Sequence, residues 1–207
     1  MYNTNSVLTN AANFTKGTLI IGSPGSYRLC EDIVFNPNPP TETLSPAEAF
    51  EPTEFGDLYD ENSFGLGFFA AIVIASDNVD LFLNKRTLEQ SEGHALMQRF
   101  YSNIELASAP FIAGTGPAQF VGEGDEFHAA SNVRIIGPGT LGRASHHGIH
   151  GNNNANIEIL GITFEDFEVA AVSINNVDGL KIEGNHIDGN RKDVPVTGMF
   201  SAARFIR

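Results

Sequence analysis

The chain has 207 residues, enough for one domain with a sizeable core, and its 25 acidic against 12 basic side chains give a net charge of −13. That balance excludes a general basic footprint for nucleic acid and suits a cation-binding surface or an assembly partner with a basic face. A single cysteine, Cys30, excludes an intramolecular disulfide, while 21 Gly, 16 Phe and no Trp suit tight turns and stacked rings.

Residues 1–16 are rich in Asn and Thr and read as a polar leader without the apolar stretch of a signal peptide. Asn13-Phe14-Thr15 matches a glycosylation sequon, a chance match where no secretion signal is visible. Residues 17–207 read as one domain. It opens with short strands at Thr18–Ile21, Tyr27–Leu29 and Ile33–Phe35, punctuated by the turn signal Pro24-Gly25. Cys30 falls in the alternating stretch after Tyr27 and reads as a structural thiol.

Residues 36–63 hold five of the ten prolines and seven acids, with no Lys or Arg. Such a stretch buries little and reads as an acidic surface loop, with calcium capture as the functional alternative; no spacing in it matches an EF-hand. The longest apolar run, residues 64–75, has 12 residues, too few to span a bilayer.

From residue 78 a short phrase recurs: Asn78-Val79-Asp80-Leu81, Asn103-Ile104-Glu105-Leu106, Asn132-Val133-Arg134-Ile135, Asn156-Ile157-Glu158-Ile159 and Gly179-Leu180-Lys181-Ile182. Its first apolar residues stand at 79, 104, 133, 157 and 180, so the intervals are 25, 29, 24 and 23 residues. Apolar–charged–apolar alternation turns two side chains to one face of a strand and the charge to the other. Asn and Gly before it tolerate the left-handed backbone of a bend. A second strand precedes the phrase at Ala70–Ile74 and again at Ala170–Ile174. A repeat of this period built from short strands predicts stacked coils, and the 3.6-residue pattern of a helical repeat is absent. The longer interval contains an insertion, 108–131, with Glu123, Asp125, Glu126 and His128 as candidate groove-facing groups.

These residues resemble the right-handed parallel β-helix proteins of the pectin-lyase-like superfamily, over roughly residues 64–193. Ser26–Ile33 resembles the first strand of such domains. Asp77–Gln90 and His146–Phe167 are similar to β-helix proteins encoded by large DNA viruses and algae. The resemblance implies an all-β fold of about five coils, some 24 Å long at roughly 4.8 Å per coil, with an N-terminal cap region and a tail or cap at 194–207.

Chemistry concentrates at Ser145-His146-His147-Gly148-Ile149-His150-Gly151-Asn152, which holds three of the six histidines. The repeat sets Ile149 over Val172, His150 over Ser173 and Gly151 over Ile174, with His150 and His146 sharing the outward parity. Two outward histidines suit metal binding or acid–base work; the bland alternative is an exposed strand rich in hydrogen-bonding groups. Glycoside hydrolysis needs two carboxylates within about 5–10 Å, so Asp166 and Asp188 on neighbouring coils join His150 as candidate catalytic residues. His146, His147, Asn152, Arg191 and Lys192 are candidate substrate-binding residues. The His-Gly-x-His-Gly wording resembles an element of β-helix polygalacturonases, whose preceding aspartate pair is missing here. Asn152–Asn154 and Asn175-Asn176 fall at matching turns and read as stacked ladders.

Two functions follow as expectations. One is a non-catalytic β-helix with a structural or glycan-binding role, virion- or surface-associated, with an oligomer or stacking partner at its C-terminal end. The other is a polysaccharide-active lyase or hydrolase, with calcium as its candidate ion. No full catalytic motif is present. The sequence names no metal ligand set and predicts no membrane span.

Overall fold

Val79, Val133, Ile157 and Leu180 lie over one another in successive parallel strands of the computed structural model, as the recurring phrase requires. The structure describes residues 7–14, 17–36, 68–97, 100–108 and 128–189. Its strands are β1 (Val7–Thr9), β2 (Leu19–Ile21), β3 (Gly25–Leu29), β4 (Ile33–Phe35), β5 (Phe68–Ile74), β6 (Val79–Phe82), β7 (Thr87–Gln90) and β8 (Phe100–Glu105). They continue as β9 (Ser131–Ile136), β10 (Thr140–Leu141), β11 (His147–Asn152), β12 (Ala155–Leu160), β13 (Thr163–Glu165), β14 (Ala170–Asn175), β15 (Asp178–Glu183) and β16 (His186–Asp188). The strands form three sheets, ordered β1-β3-β6-β9-β12-β15, β4-β7-β10-β13-β16 and β2-β5-β8-β11-β14. From β2 onward the chain visits the third, first and second sheet in that cyclic order. Neighbouring strands in each sheet are parallel. The architecture is all-β and compatible with a parallel β-helix.

The phrase residues behave as their alternation predicts in the first sheet. Val79, Leu81, Val133, Ile135, Ile157 and Ile159 are buried in the core, and the charges between them face out. Asn78, Asn132 and Asn156 hold φ of 59°, 55° and 53°, and Gly179 takes φ 81° at the equivalent place. Their amides stack: Asn132 Nδ2 donates to Asn78 Oδ1 at 3.3 Å and Asn156 Nδ2 to Asn132 Oδ1 at 3.0 Å. A left-handed corner that every coil repeats selects a residue able to adopt it and to satisfy its neighbour.

One copy of the phrase does not belong. Asn103-Ile104-Glu105-Leu106 leads out of β8, and Ile104 lies between Ile72 and Ile149 in the third sheet. The true step from Val79 to Val133 is 54 residues and contains β7, a short helix α1 (Glu92–Met97), β8 and the excursion after residue 108. Alternation cannot name a sheet, because every strand of a coil is apolar on one side. Asn103 differs from the other phrase asparagines in kind. It is fully buried, accepts from the Tyr101 hydroxyl and donates to the Gly142 carbonyl.

The stack also begins earlier than expected. Val7–Thr9, inside the stretch read as a polar leader, pairs with β3, and a 3-10 turn at Ala11–Phe14 buries Phe14 edge-on against Phe35. Helix α1 was not foreseen; the Ser91 hydroxyl caps it by accepting from His94 N at 3.1 Å. The excursion after residue 108 has a closed neck. Ser108 N donates to His128 O at 2.9 Å, His128 N donates to Ser108 Oγ at 2.8 Å, and Ala107 bridges Ala129. Most of the acidic loop, most of the excursion and the 194–207 tail lie outside the described residues.

Candidate functional site

The third sheet breaks strict alternation, and the break builds the densest cluster of titratable groups. In β5, Ala71, Ile72 and Ile74 join the core, while Ala70 and Val73 pack outside it with Ala75 and Phe100. Two consecutive residues face in, so outward positions fall three apart instead of two. Register carries this through the sheet. Ala70, Ser102, His147 and Ala170 form one outward column, and Val73, Glu105, His150 and Ser173 form the next.

Small residues permit the break. Ala71 and Ala171 precede the inward Ile72 and Val172, and Gly148 precedes Ile149. A Cβ on Gly148 would meet the Ala171 carbonyl oxygen at 2.5 Å and Phe164 Cδ1 at 2.9 Å, so only glycine fits against this backbone.

The expected register holds: Ile149 lies over Val172, His150 over Ser173 and Gly151 over Ile174. The partner of His150 is different. His147, not His146, stacks on it, with ring centroids 5.2 Å apart and planes 9° apart. His146 sits before the strand begins, 4.0 Å from the His147 ring and 5.5 Å from Phe100. Nor is the strand exposed: His147 and His150 are 7% and 4% accessible.

His150 Nδ1 lies 2.7 Å from Glu105 Oε2, and Glu105 is 2% exposed. Burial pushes the Glu105 carboxyl above the usual carboxylate range, opposed by the hydrogen bond and charge of His150. Burial lowers His147 to about 3, assisted by the neighbouring His146 and His150. His147 Nδ1 and Ser102 Oγ, adjacent by register, have no hydrogen-bond partner among the described residues.

Two chemistries are disfavoured by this geometry. Imidazole lone pairs lie in the ring plane, so one ion cannot sit in the planes of both stacked rings. Among the described residues no group of three or more His, Cys, Asp or Glu is placed to hold a metal. A base titrating near 3 also accepts a proton poorly at neutral pH, which makes His147 a weak activator for Ser102.

The other candidate catalytic residues stand elsewhere. Asp188, in β16, is in register with Glu165 rather than with Asp166. Asp166 occupies a left-handed corner at φ 54°, is buried, and has Oδ2 3.3 Å from Arg143 Nε. Asp188 therefore lies one residue out of register with Asp166, which stands at the corner after β13 beside Arg143. Asp188 belongs to the second sheet and His150 to the third.

Asn152 Oδ1 accepts from Asn175 Nδ2 at 2.9 Å, and Asn153 Oδ1 from Asn176 Nδ2 at 2.7 Å, so these residues form the expected ladders. Arg191, Lys192, Glu123, Asp125 and Glu126 lie outside the described residues. His128 lies 3.0 Å from Asp77, pinning the neck of the excursion. Cys30 is a free, half-buried thiol.

Glu105 and Ser102 were missed by sequence reasoning because the phrase had absorbed Glu105 into the scaffold. The small residue before an inward Ile or Val, repeated at 71, 148 and 171, was the signal for the three-residue spacing. No family model, no curated protein and no solved structure matches the chain significantly. Among the described residues no helix is long and apolar enough to cross a membrane.

Proposed function

We propose that the chain is a right-handed, pectin-lyase-like β-helix of about five coils that serves as a non-catalytic structural rod, virion- or surface-associated, assembling end-on with a second copy. One observation carries this reading. Leu180, Ile182 and Ile187 continue the buried columns of Ile157, Ile159 and Phe164, yet are 41%, 47% and 53% exposed. The last described rung therefore offers apolar side chains together with three sheet edges on which no further strand is paired among the described residues, the combination that recruits another strand.

The placement of His150 and Asp188 in different sheets supports the same reading. The test is sedimentation of the purified chain beside Ile182→Lys. A defined oligomer that falls to monomer in the variant supports the rod, and a monomer at all concentrations overturns it.

A glycan-binding role of the rod is read by the same protein in a polysaccharide binding panel. A second reading, a polysaccharide-active lyase or hydrolase, draws on the Glu105–His150 couple, the one close acid–imidazole pair at a candidate catalytic residue among the described residues. It predicts cleavage in a polysaccharide panel, with or without calcium, that is lost in His150→Ala. No cleavage in either condition removes it.

A further inference from the structure

We propose that the second copy docks tail to tail: the last described rung of one chain meets the same rung of the other across a two-fold axis at Ile182, and assembly closes at the dimer. This rests on the end-on reading above and adds which end docks and in which register.

The two ends of the stack differ. At the first rung the chain covers its own apolar end. Ile21, Ile33 and Phe35 are 2%, 2% and 1% exposed, and Phe14 of the 3-10 turn packs edge-on against Phe35. At the last described rung the equivalent inward residues Leu180, Ile182 and Ile187 are 41%, 47% and 53% exposed. A head-to-tail contact would set this apolar rung against an end whose own apolar residues are already buried. A tail-to-tail contact sets apolar rung against apolar rung and leaves no docking end over, which is the condition for closure.

The outer edge of β15 is self-complementary. Glu183 O accepts from Gly161 N at 2.9 Å, so that carbonyl faces back to the previous coil. Successive carbonyls of a strand alternate in direction, which turns the N–H and C=O of Ile182 to the opposite edge. Two copies laid antiparallel about Ile182 exchange a pair of N–H···O=C bonds there. The same register sets Lys181 of each copy opposite Glu183 of the other. Within one chain these two exposed side chains attract each other at 2.9 Å. Directly opposite residues of an antiparallel pair share a face, so both ion pairs lie outside and both Ile182 side chains lie inside. Centring the pairing on Lys181 or on Glu183 instead would set that charge against its own copy, which is unfavourable. Charge and backbone direction thus select the same axis.

The experiment uses the full chain. Sedimentation of the unsubstituted protein should give a dimer that does not lengthen with concentration. In a Cys30→Ser background, Ile182→Cys is then oxidised with glutathione disulfide. Hydrogen-bonded antiparallel partners stand about 5.5 Å apart at Cα, within the span of a disulfide. Ile182→Cys should therefore yield a covalent dimer, and Ile20→Cys, exposed on the first rung, should not. Charge reversal gives a second readout. Lys181→Glu and Glu183→Lys each place like charges at both contacts and should weaken the dimer about tenfold. An equimolar mixture of the two should regain it, because every contact then joins opposite charges.

An oligomer that lengthens with concentration, or one with no disulfide at Ile182→Cys, overturns the tail-to-tail register and leaves the end-on rod standing. A mixture no tighter than its separate variants, with both still showing the far-ultraviolet dichroism of the unsubstituted chain, overturns it as well. Where a charge variant loses its fold, the disulfide result decides alone. An unsubstituted chain that stays monomeric at all concentrations overturns the register and the rod together.

Discussion

Glu105 and His150 meet across neighbouring strands, carboxylate oxygen to Nδ1 at 2.7 Å, on the outward side of a sheet where both are nonetheless more than nine-tenths buried. Each compensates the cost of burying the other. His150→Ala leaves the Glu105 carboxyl without its partner and should cost about 3–5 kcal/mol. Glu105→Gln, which still accepts a hydrogen bond, should cost about 1 kcal/mol. Urea unfolding of the two single variants and the double variant reads both the costs and their coupling.

Acid should weaken the whole fold through a different histidine. His94 is buried against Phe35 and Tyr101, and burial lowers it to about 3. Its neutral form is favoured in the folded chain, so stability is complete above pH 6.5 and declines as pH falls towards 3. The expected loss at pH 5 is about 2 kcal/mol. His94→Phe, which keeps a ring among its aromatic neighbours, should flatten this slope in unfolding curves taken at pH 7 and pH 5.

The amide ladder makes a two-part prediction at Asn156, which sits at φ 53° and donates to Asn132. Asn156→Ala loses both the hydrogen bond and the tolerance for a left-handed backbone, for about 2 kcal/mol. Asn156→Gly restores the backbone and should recover about half of that. Thermal unfolding of the pair separates the two contributions, and equal melting temperatures would show that the corner is not strained.

Gly148→Ala should be the most damaging small substitution in the third sheet. Its methyl group would lie 2.5 Å from a backbone oxygen and 2.9 Å from a buried ring. Overpacking of this kind costs about 1–3 kcal/mol, and more where backbone must move. A chemical denaturation midpoint equal to that of the unsubstituted chain would refute the two-residue inward step.

On the first sheet, Arg134 Nε and Nη2 grip the Asp80 carboxylate at 2.6 Å and 2.5 Å, and Glu158 follows in register. Arg134→Glu would line up three acids. The expected loss is about 1 kcal/mol at low ionic strength, shrinking in 1 M salt as screening shortens the reach of charge. Denaturation at both salt concentrations checks it.

Much of the scaffold was legible because its forces are local and periodic. The left-handed asparagines, the alternation around Val133, Ile157 and Leu180, and the register of Ile149, His150 and Gly151 all recur from coil to coil. The step at Asn103 was misread for a physical reason: alternation reports which side of a strand is buried and is silent on which sheet holds it. The same silence hid Glu105, whose partner His150 stands 45 residues away in the chain. The corner at Asp166 was not legible, because a corner residue and a strand residue look alike in the acidic run Glu165-Asp166-Phe167-Glu168.

Down the outside of the first sheet runs the column Asp80, Arg134, Glu158, Lys181, alternating in sign at every step. This alternation sets a parity on how the molecule can lengthen or shorten. Deleting the single turn that carries Arg134 would set Asp80 against Glu158, and deleting the one that carries Glu158 would set Arg134 against Lys181. Deleting both together brings Asp80 against Lys181 and leaves opposite charges in contact. Growth and loss of this stack are therefore favoured in twos, a rule written in side-chain charge alone and indifferent to the apolar core, which would accept any number.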